Sequence, residues 1–467
     1  MLAQIVGEIS NFMYGKLLII MLIGVGLYYT LRTGFIQLRL FRETIRVILE
    51  KPVGERAVSS FQALMVSTAS RVGTGNIIGI STAICLGGVG AVFWMWLIAL
   101  IGGASAFVES TLAQIYKKRG EHGSYGGPAY YIEAALHSRP LAVLFSVALI
   151  ATYGVGFNLL CSYNLQSTFS AYEFYQPETT PWIIGAVLAV LVGYCLLGGG
   201  KRVIKATSTL VPLMGVIYIS VAFVITLLHI DLLPGVLGRV FTEAFDFQAI
   251  FSGFAGSCVM YGIKRGLYSN EAGVGSAPNA AAAADVSHPV KQGLVQMLSV
   301  FIDTLLICTA TAFMCLCSGV EPTAEMAGAP YVQEALAASL GGGARVFLTV
   351  SMVLFAFTTL LGNLYYVDNC FAYILKKVPG KTFTLVYRII ACLVIFVGAG
   401  SSMGLLWDIS DVTMGFMTII NLPVICILGG PAMLALKDYT SQRAAGKEPV
   451  FKAKAIGLTD KTDYWND

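Results

Sequence analysis

Stretches of mainly apolar residues, each of about 20 and so long enough to cross a bilayer, recur eleven times along this 467-residue chain. They cover residues 15–31, 59–86, 91–116, 141–172, 182–197, 207–228, 247–263, 293–318, 346–375, 383–400 and 406–436. Backbone groups in hydrocarbon must pair internally, and stretches of this length do so as helices packed side by side. Composition agrees: 56% of the residues are hydrophobic and 12% charged, where a soluble domain carries about a quarter charged residues. A disulfide scaffold and a disordered chain are excluded, and a net charge of +4 argues against a nucleic-acid partner. The expected fold class is an all-α membrane protein.

The first stretch lacks a basic leader and a small-residue cleavage site, so it reads as a retained span rather than a signal peptide. Basic residues then concentrate in every second connection, which places them on one side of the membrane. With the amino terminus outside, 26 of the 30 Lys and Arg fall in cytoplasmic loops or the carboxyl tail, Lys264 and Arg265 among them. Three segments are expected: 1–58, a transmembrane helix and a basic cytoplasmic stretch; 59–436, a ten-helix core; and 437–467, a cytoplasmic tail.

Two spans are interrupted by glycine, at Ser70-Arg71-Val72-Gly73-Thr74-Gly75-Asn76 and at Phe251-Ser252-Gly253-Phe254-Ala255-Gly256-Ser257. Within the core these are the first and sixth helices, so the ten read as a 5+5 repeat with inverted halves. Such paired interruptions point to a transport site at the membrane midplane. Each freed backbone group in lipid costs several kcal/mol, so something polar must use it. Free N–H groups at the start of a half-helix suit a carboxylate, and free carbonyls suit an ammonium or Na⁺. Thr74 and Asn76 add side-chain polarity at the same depth. Close helix packing is the plainer role for such glycines, and the doubling of the break weighs against it.

Several runs closely resemble the alanine or glycine:cation symporter family. They are Ser59-Ser60-Phe61-Gln62-Ala63-Leu64, Arg71-Val72-Gly73-Thr74-Gly75-Asn76-Ile77 and Gly87-Gly88-Val89-Gly90-Ala91-Val92-Phe93-Trp94-Met95-Trp96. Gly126-Gly127-Pro128-Ala129-Tyr130-Tyr131-Ile132-Glu133, Arg265-Gly266-Leu267-Tyr268-Ser269-Asn270-Glu271-Ala272-Gly273 and Phe301-Ile302-Asp303-Thr304-Leu305 match as well. The resemblance spans about residues 59–436. It implies the leucine-transporter fold in the plasma membrane of a prokaryote. It also implies uptake of a small neutral amino acid, alanine or glycine, coupled to Na⁺ as co-transported ion without a cofactor. Coupling to H⁺ stays open.

The same resemblance implies a substrate site on Gly73, Thr74, Gly75 and Asn76, with Phe254 and Gly256 at the second break, Cys161 on the third helix, and Thr359 and Asn363 on the eighth. Na⁺ would take the carbonyls of Ala69 and Val72 and the hydroxyls of Thr358 or Thr359. Two helices depart from the family pattern. The third helix reads Asn158-Leu159-Leu160-Cys161-Ser162-Tyr163 where Asn-x-x-Gln-x-Asn is usual, and the eighth carries Asn363 where Trp is usual. A serine- or glutamine-preferring member is the alternative those changes leave.

Arg71 and Asp303 are costly in a membrane, at least about 2.5–3.5 kcal/mol each. They are expected to pair, either as a structural pair or in place of a second cation. Glu109, Glu271, Asp368, Asp408 and Asp411 read as caps, loop contacts or gates near helix ends, and Trp94 with Trp96 as an aromatic belt. The 10 cysteines lie in apolar stretches, as small buried hydrophobes do. No zinc spacing, nucleophile elbow or catalytic carboxylate pair argues for an enzyme, and no filter signature for a channel. The partners expected are the amino acid, Na⁺ and lipid, with no nucleic acid and no obligate protein partner legible.

Overall fold

The computed structural model of the chain describes residues 2–50, 58–120, 123–246, 257–458 and 462–466. Among these, nine helices are long and apolar enough to cross a membrane. They include α1 (Ala3–Arg32), α5 (Ala91–Ile115), α6 (Arg139–Ala171), α7 (Thr180–Leu197), α8 (Lys201–Leu228), α11 (Pro289–Leu316), α12 (Ala344–Leu375), α13 (Lys381–Ala399) and α14 (Met403–Ala444). Side chains such as Ile183, Val190 and Leu393 point outward from them and are more than half exposed. Such faces belong against lipid.

Helix α1 begins well before residue 15. It lies in a groove between α5 and α14, where Gly26 meets Ile101 and Gly429 meets Tyr29. Small residues at these contacts let the backbones approach. A short helix, α2 (Phe41–Ile48), follows at the end of the bundle where α3 (Ser60–Arg71) begins.

The first expected interruption is present. A capping box starts α3: Gln62 N–H donates to Ser59 Oγ at 3.1 Å, and Ser59 N–H donates to Gln62 Oε1 at 3.0 Å. The helix stops at Arg71, where Val72 and Gly73 turn extended. After one 3₁₀ turn over Thr74–Asn76, α4 (Ile78–Gly87) resumes. Asn76 makes the gap affordable, because its Oδ1 accepts the freed Gly73 N–H at 2.8 Å.

A second interruption lies beyond the stretch where one was expected. Residues 251–256, including Phe254 and Gly256, fall outside the described residues, and Ser257 caps a helix, with its Oγ accepting from Met260 N–H. That helix, α9 (Cys258–Asn270), runs unbroken past Lys264 and Arg265, which are buried rather than in a loop. It ends where Glu271 takes a left-handed φ of 53°. Gly273 and Gly275 follow at φ 83° and 90°, before the single turn of α10 (Pro278–Ala281). Glycine adopts these angles at no steric cost, so the Gly-Val-Gly run opens this helix.

The packing shows how deep the second break lies. Gly262 sits on Ala91 of α5, Gly266 on Ile98, and Ala272 on Gly102, near the middle of the 25-residue α5. The breaks at 72–77 and 271–277 therefore face each other inside the bundle. Two further helices are irregular beside them: α6 and α11 carry π-helical stretches at Ile150–Gly156 and Phe301–Cys308. Stretches of this kind concentrate at functional sites.

Candidate functional site

Side chains from five elements converge on the two breaks. Ser70, next to the last residue of α3, has its Oγ 2.7 Å from Asn363 Oδ1 of α12 and 3.1 Å from Glu271 Oε1. Asn363 Nδ2 in turn donates to Asn158 Oδ1 of α6 at 2.9 Å. Ser276 Oγ donates to the other oxygen of Glu271 at 2.7 Å. A buried carboxylate in lipid needs such donors.

Arg71 pairs with Glu271, not with Asp303 as its place in the sequence suggested. Its Nε lies 4.0 Å from Glu271 Oε2, with both side chains 0–1% exposed, and its Nη1 donates to the Gln296 carbonyl at 3.3 Å. The reason is positional: the second break sets Glu271 directly opposite the end of α3. Asp303 is instead held by neutral donors, Asn76 Nδ2 at 2.7 Å, Ser269 Oγ at 2.8 Å and Thr304 Oγ1 at 2.8 Å. Glu109 and Asp411 also lie inside helices rather than at their ends. Glu109 Oε2 accepts from Asn421 Nδ2 at 2.8 Å.

Other positions expected at the site divide. Thr359 Oγ1 donates to the Ala69 carbonyl at 3.1 Å, which joins α12 to the last turn of α3. A Cβ at Gly73 would run into that same hydroxyl, so glycine there makes the approach possible. Thr358 turns away: its hydroxyl bonds the Leu354 and Phe355 carbonyls of its own helix and meets Met214 of α8. Val72 is fully buried at the break. Asn164 Nδ2 donates to Thr74 Oγ1 at 3.2 Å, so α6 reaches the first break through Asn164. Cys161 Sγ faces the Ala356 carbonyl of α12 at 3.6 Å. Asn363 is committed to Ser70 and Asn158 and leaves no open space of its own.

Gly75 supports a lid. A Cβ there would stand 2.6 Å from the Tyr268 ring. That ring sits between Phe157, at a centroid distance of 4.6 Å, and Trp407, at 4.9 Å. The Arg265 guanidinium lies 3.8 Å over the Trp407 ring and donates to Asp411 Oδ2 at 2.6 Å, with Lys264 Nζ 3.2 Å from the same oxygen. This buried ion cluster ties α9 to α14 directly above the aromatic layer. Thr74 is 1% exposed, Asn76 and Asp303 0% and Thr359 5%, so the polar side chains at the first break are buried inside the bundle.

Sequence alone does not single out Ser70, Ser269, Ser276 or Asn164. The signal for two of them, Ser269 and Ser276, was present in the run Ser269-Asn270-Glu271-Ala272-Gly273-Val274-Gly275-Ser276, where paired glycines are flanked by polar groups. Among the described residues no group of three or more His, Cys, Asp or Glu is placed to hold a metal ion. The oxygens gathered here are carbonyls, hydroxyls and amides together with the carboxylates of Glu271 and Asp303.

Comparison with known proteins agrees with this geometry. The sodium:alanine symporter family matches residues 1–453. The chain is 43% identical over 458 residues to the amino-acid carrier protein AlsT of Bacillus subtilis, covering 98% of this chain and 96% of that one. It is 43% identical over 467 residues to the probable sodium/glutamine symporter GlnT of the same organism, covering 99% and 96%. To the sodium/alanine symporter AgcS of Methanococcus maripaludis it is 36% identical, covering 94% and 98%. Among solved structures, MhsT in complex with L-phenylalanine aligns with a TM-score of 0.56 at 16% identity, covering 88% of this chain and 97% of that one. That last likeness is one of fold.

Proposed function

Because this chain belongs to the sodium:alanine symporter family, we propose that it takes up a small neutral amino acid, alanine or glycine, together with Na⁺ by alternating access. It is a multi-pass membrane transporter and not an enzyme. The observation that carries the reading is the pair of facing breaks, 72–77 and 271–277, closed over by Tyr268. In this reading the substrate carboxylate accepts from N–H groups of the Thr74–Asn76 turn, as anions do at helix starts. The ammonium meets carbonyls of the second break. Na⁺ sits where Thr359 Oγ1 now reaches the Ala69 carbonyl, with Val72 supplying a further oxygen.

The supply of energy is adequate. One charge crossing 100 mV contributes about 2.3 kcal/mol, and a tenfold Na⁺ gradient adds about 1.4 kcal/mol. Together they support accumulation of a few hundredfold.

Counting each broken helix as one crossing brings the nine long helices to eleven, a first helix plus a 5+5 inverted core over 59–436. The basic residues support an amino terminus outside and a carboxyl terminus inside the plasma membrane of a prokaryote. Moving Lys264 and Arg265 into the bundle still leaves 24 of 30 on the inner side.

Glutamine is the second substrate reading, favoured by the named preference of GlnT. Proton coupling is the second driving-ion reading, favoured by a 39%-identical relative named as a putative sodium/proton-dependent alanine carrier, YrbD. Uptake of labelled alanine into proteoliposomes tests all of this, with competing glycine, serine and glutamine, with and without Na⁺ and under a pH gradient. Saturable uptake that needs Na⁺ and yields first to alanine or glycine supports the proposal. Uptake that ignores Na⁺ and follows the pH gradient overturns the coupling.

A further inference from the structure

Beyond α14 the chain doubles back across the end of the bundle where α3 begins. Phe451 N–H donates to the Ser287 carbonyl at 2.9 Å, and Ser287 Oγ donates to the Pro449 carbonyl at 2.8 Å. Trp465 Nε1 donates to the Gln114 carbonyl at the end of α5 at 2.7 Å, and Ala453 N–H donates to the Trp465 carbonyl at 3.0 Å. Phe451 and Trp465 meet edge to face at 5.4 Å and are 3% and 7% exposed. Glu448 lies 2.7 Å from Lys291 Nζ and 3.1 Å from Arg46 Nη1 of α2. Lys117, just past α5, donates to the Ala284 carbonyl at 3.1 Å, with its ammonium 3.9 Å over the Tyr464 ring and 4.9 Å from that of Trp465.

The backbone gripped in this way is the backbone that holds both broken helices. Asp285 N–H donates to the Val58 carbonyl, just ahead of α3, at 2.9 Å. Gln114 Nε2 donates to the Ala284 carbonyl, just past α10, at 2.9 Å, and Gln292 Nε2 to Ser60 Oγ at 3.0 Å. A polar cavity of about 310 Å³, bordered by Glu50, Ser60, Asp285, Lys291 and Glu448, already lies along this seam. The tail contacts lie on the 285–291 stretch that follows α10, on the end of α5 and on Arg46 of α2, and so brace the backbone to which Val58 and Ser60 bond the start of α3.

We propose that residues 448–453 and 462–466 form a strap that holds the α3 and α10 end of the molecule shut, and that its release is a step in opening that end. The proposal rests on the alternating-access reading. The two aromatic anchors are buried and carry most of the hold, since large rings dominate such contacts. The ion pairs of Glu448 are half exposed and carry less. Every group the strap grips lies at the end of the bundle, so it can release without unfolding any membrane helix, as locally opening units do.

Amide hydrogen exchange on the full-length protein in proteoliposomes tests it, read over 58–71 and 281–291 beside alanine uptake. Trp465→Ala is expected to raise exchange in both segments by about tenfold or more, and Glu448→Gln by less, while Ala344–Leu375 stays protected. Unchanged exchange in both segments for both variants overturns the strap. Should Trp465→Ala fail to fold, Glu448→Gln alone decides, since it removes one surface charge. Exchange that rises in a protein accumulating no amino acid keeps the strap and defeats the transport reading. Intact uptake with unchanged exchange does the reverse.

Discussion

Asn76 donates from Nδ2 to Asp303 Oδ1 at 2.7 Å while its own Oδ1 accepts the Gly73 N–H at 2.8 Å. One amide thus closes the unwound turn and fixes a carboxylate beside it, which ties the first broken helix to the π-helical stretch of α11. Asn76→Ala is predicted to lose both, leaving a buried N–H and a carboxylate short of a donor. Each such loss costs about 1–3 kcal/mol. Asp303→Asn keeps the shape and removes the charge. Uptake assays beside thermal unfolding should show both variants reduced at least about tenfold in uptake, by the 1.4 kcal/mol equivalence, with only Asn76→Ala clearly less stable.

The pairing of Arg71 with Glu271 predicts a non-additive pair of substitutions. Removing one partner of a buried ion pair leaves the other uncompensated, at about 3–5 kcal/mol. Arg71→Met and Glu271→Gln should each lower the unfolding midpoint, and the double variant should be more stable than either. Strict additivity in that cycle would mean that the two charges do not interact.

Gly75→Ala places a methyl group 2.6 Å from the Tyr268 ring. Both neighbours are buried, so the clash has no outlet and costs about 1–3 kcal/mol. Tyr268→Ala, alone or added to it, removes the clash but leaves a cavity between Phe157 and Trp407 that costs about 3–5 kcal/mol, so both variants should also be less stable than the unaltered protein and bind alanine poorly. Binding of labelled alanine and thermal unfolding of the three variants check this.

Lys117 gives the tail a pH dependence whose sign follows from its environment. Burial pushes its ammonium down to about 7, against the opposing pull of the Asp285 carboxylate. With Tyr464 and Trp465 lifted away it is hydrated and returns toward the ordinary lysine value of 10.5. The docked form therefore binds fewer protons across that window, and raising the pH through it strengthens docking by up to about tenfold per unit. Below about 7 the lysine is charged in both forms, so pH has no effect through it. The other charged groups around it are Lys118 and Arg119, which follow it in sequence, Asp285 ahead of α11 and Asp463 of the tail. His288, pushed down to about 4 chiefly by burial, does not titrate there. Nor does Glu448, which Arg46 and Lys291 hold at about 2 against the upward push of burial. Exchange over 58–71, corrected for intrinsic rates, should slow between pH 7 and 9. Lys117→Met should be slow throughout and Lys117→Arg fast throughout.

Nine of the spans and the first break could be read from the amino acids because both are local signals. A run of apolar residues declares its own burial, and Gly73-Thr74-Gly75-Asn76 carries its breaker and its cap within four residues. The second break could not be placed in the same way. Gly273 and Gly275 lie past Lys264 and Arg265, and that pair has the composition of a loop. What keeps those two charges inside a helix is Asp411, on α14 and 146 positions beyond Arg265. What draws Arg71 to Glu271 is likewise a contact across the fold, which neither residue's neighbours reveal. Thr358 and Thr359 show the same limit: adjacent in sequence, they meet different neighbours, Met214 of α8 and Ala69 of α3, and only Thr359 reaches the first break.

The central claim is that an amino acid binds between the two unwound segments. The measurement that tests it most directly is an experimental density map of the purified protein with alanine and Na⁺. The account predicts the amino acid wedged between 73–76 and 270–277, its carboxylate toward the N–H groups of the Thr74–Asn76 turn. Alanine seated elsewhere, or 72–77 and 271–277 wound into continuous helix around it, would contradict the account.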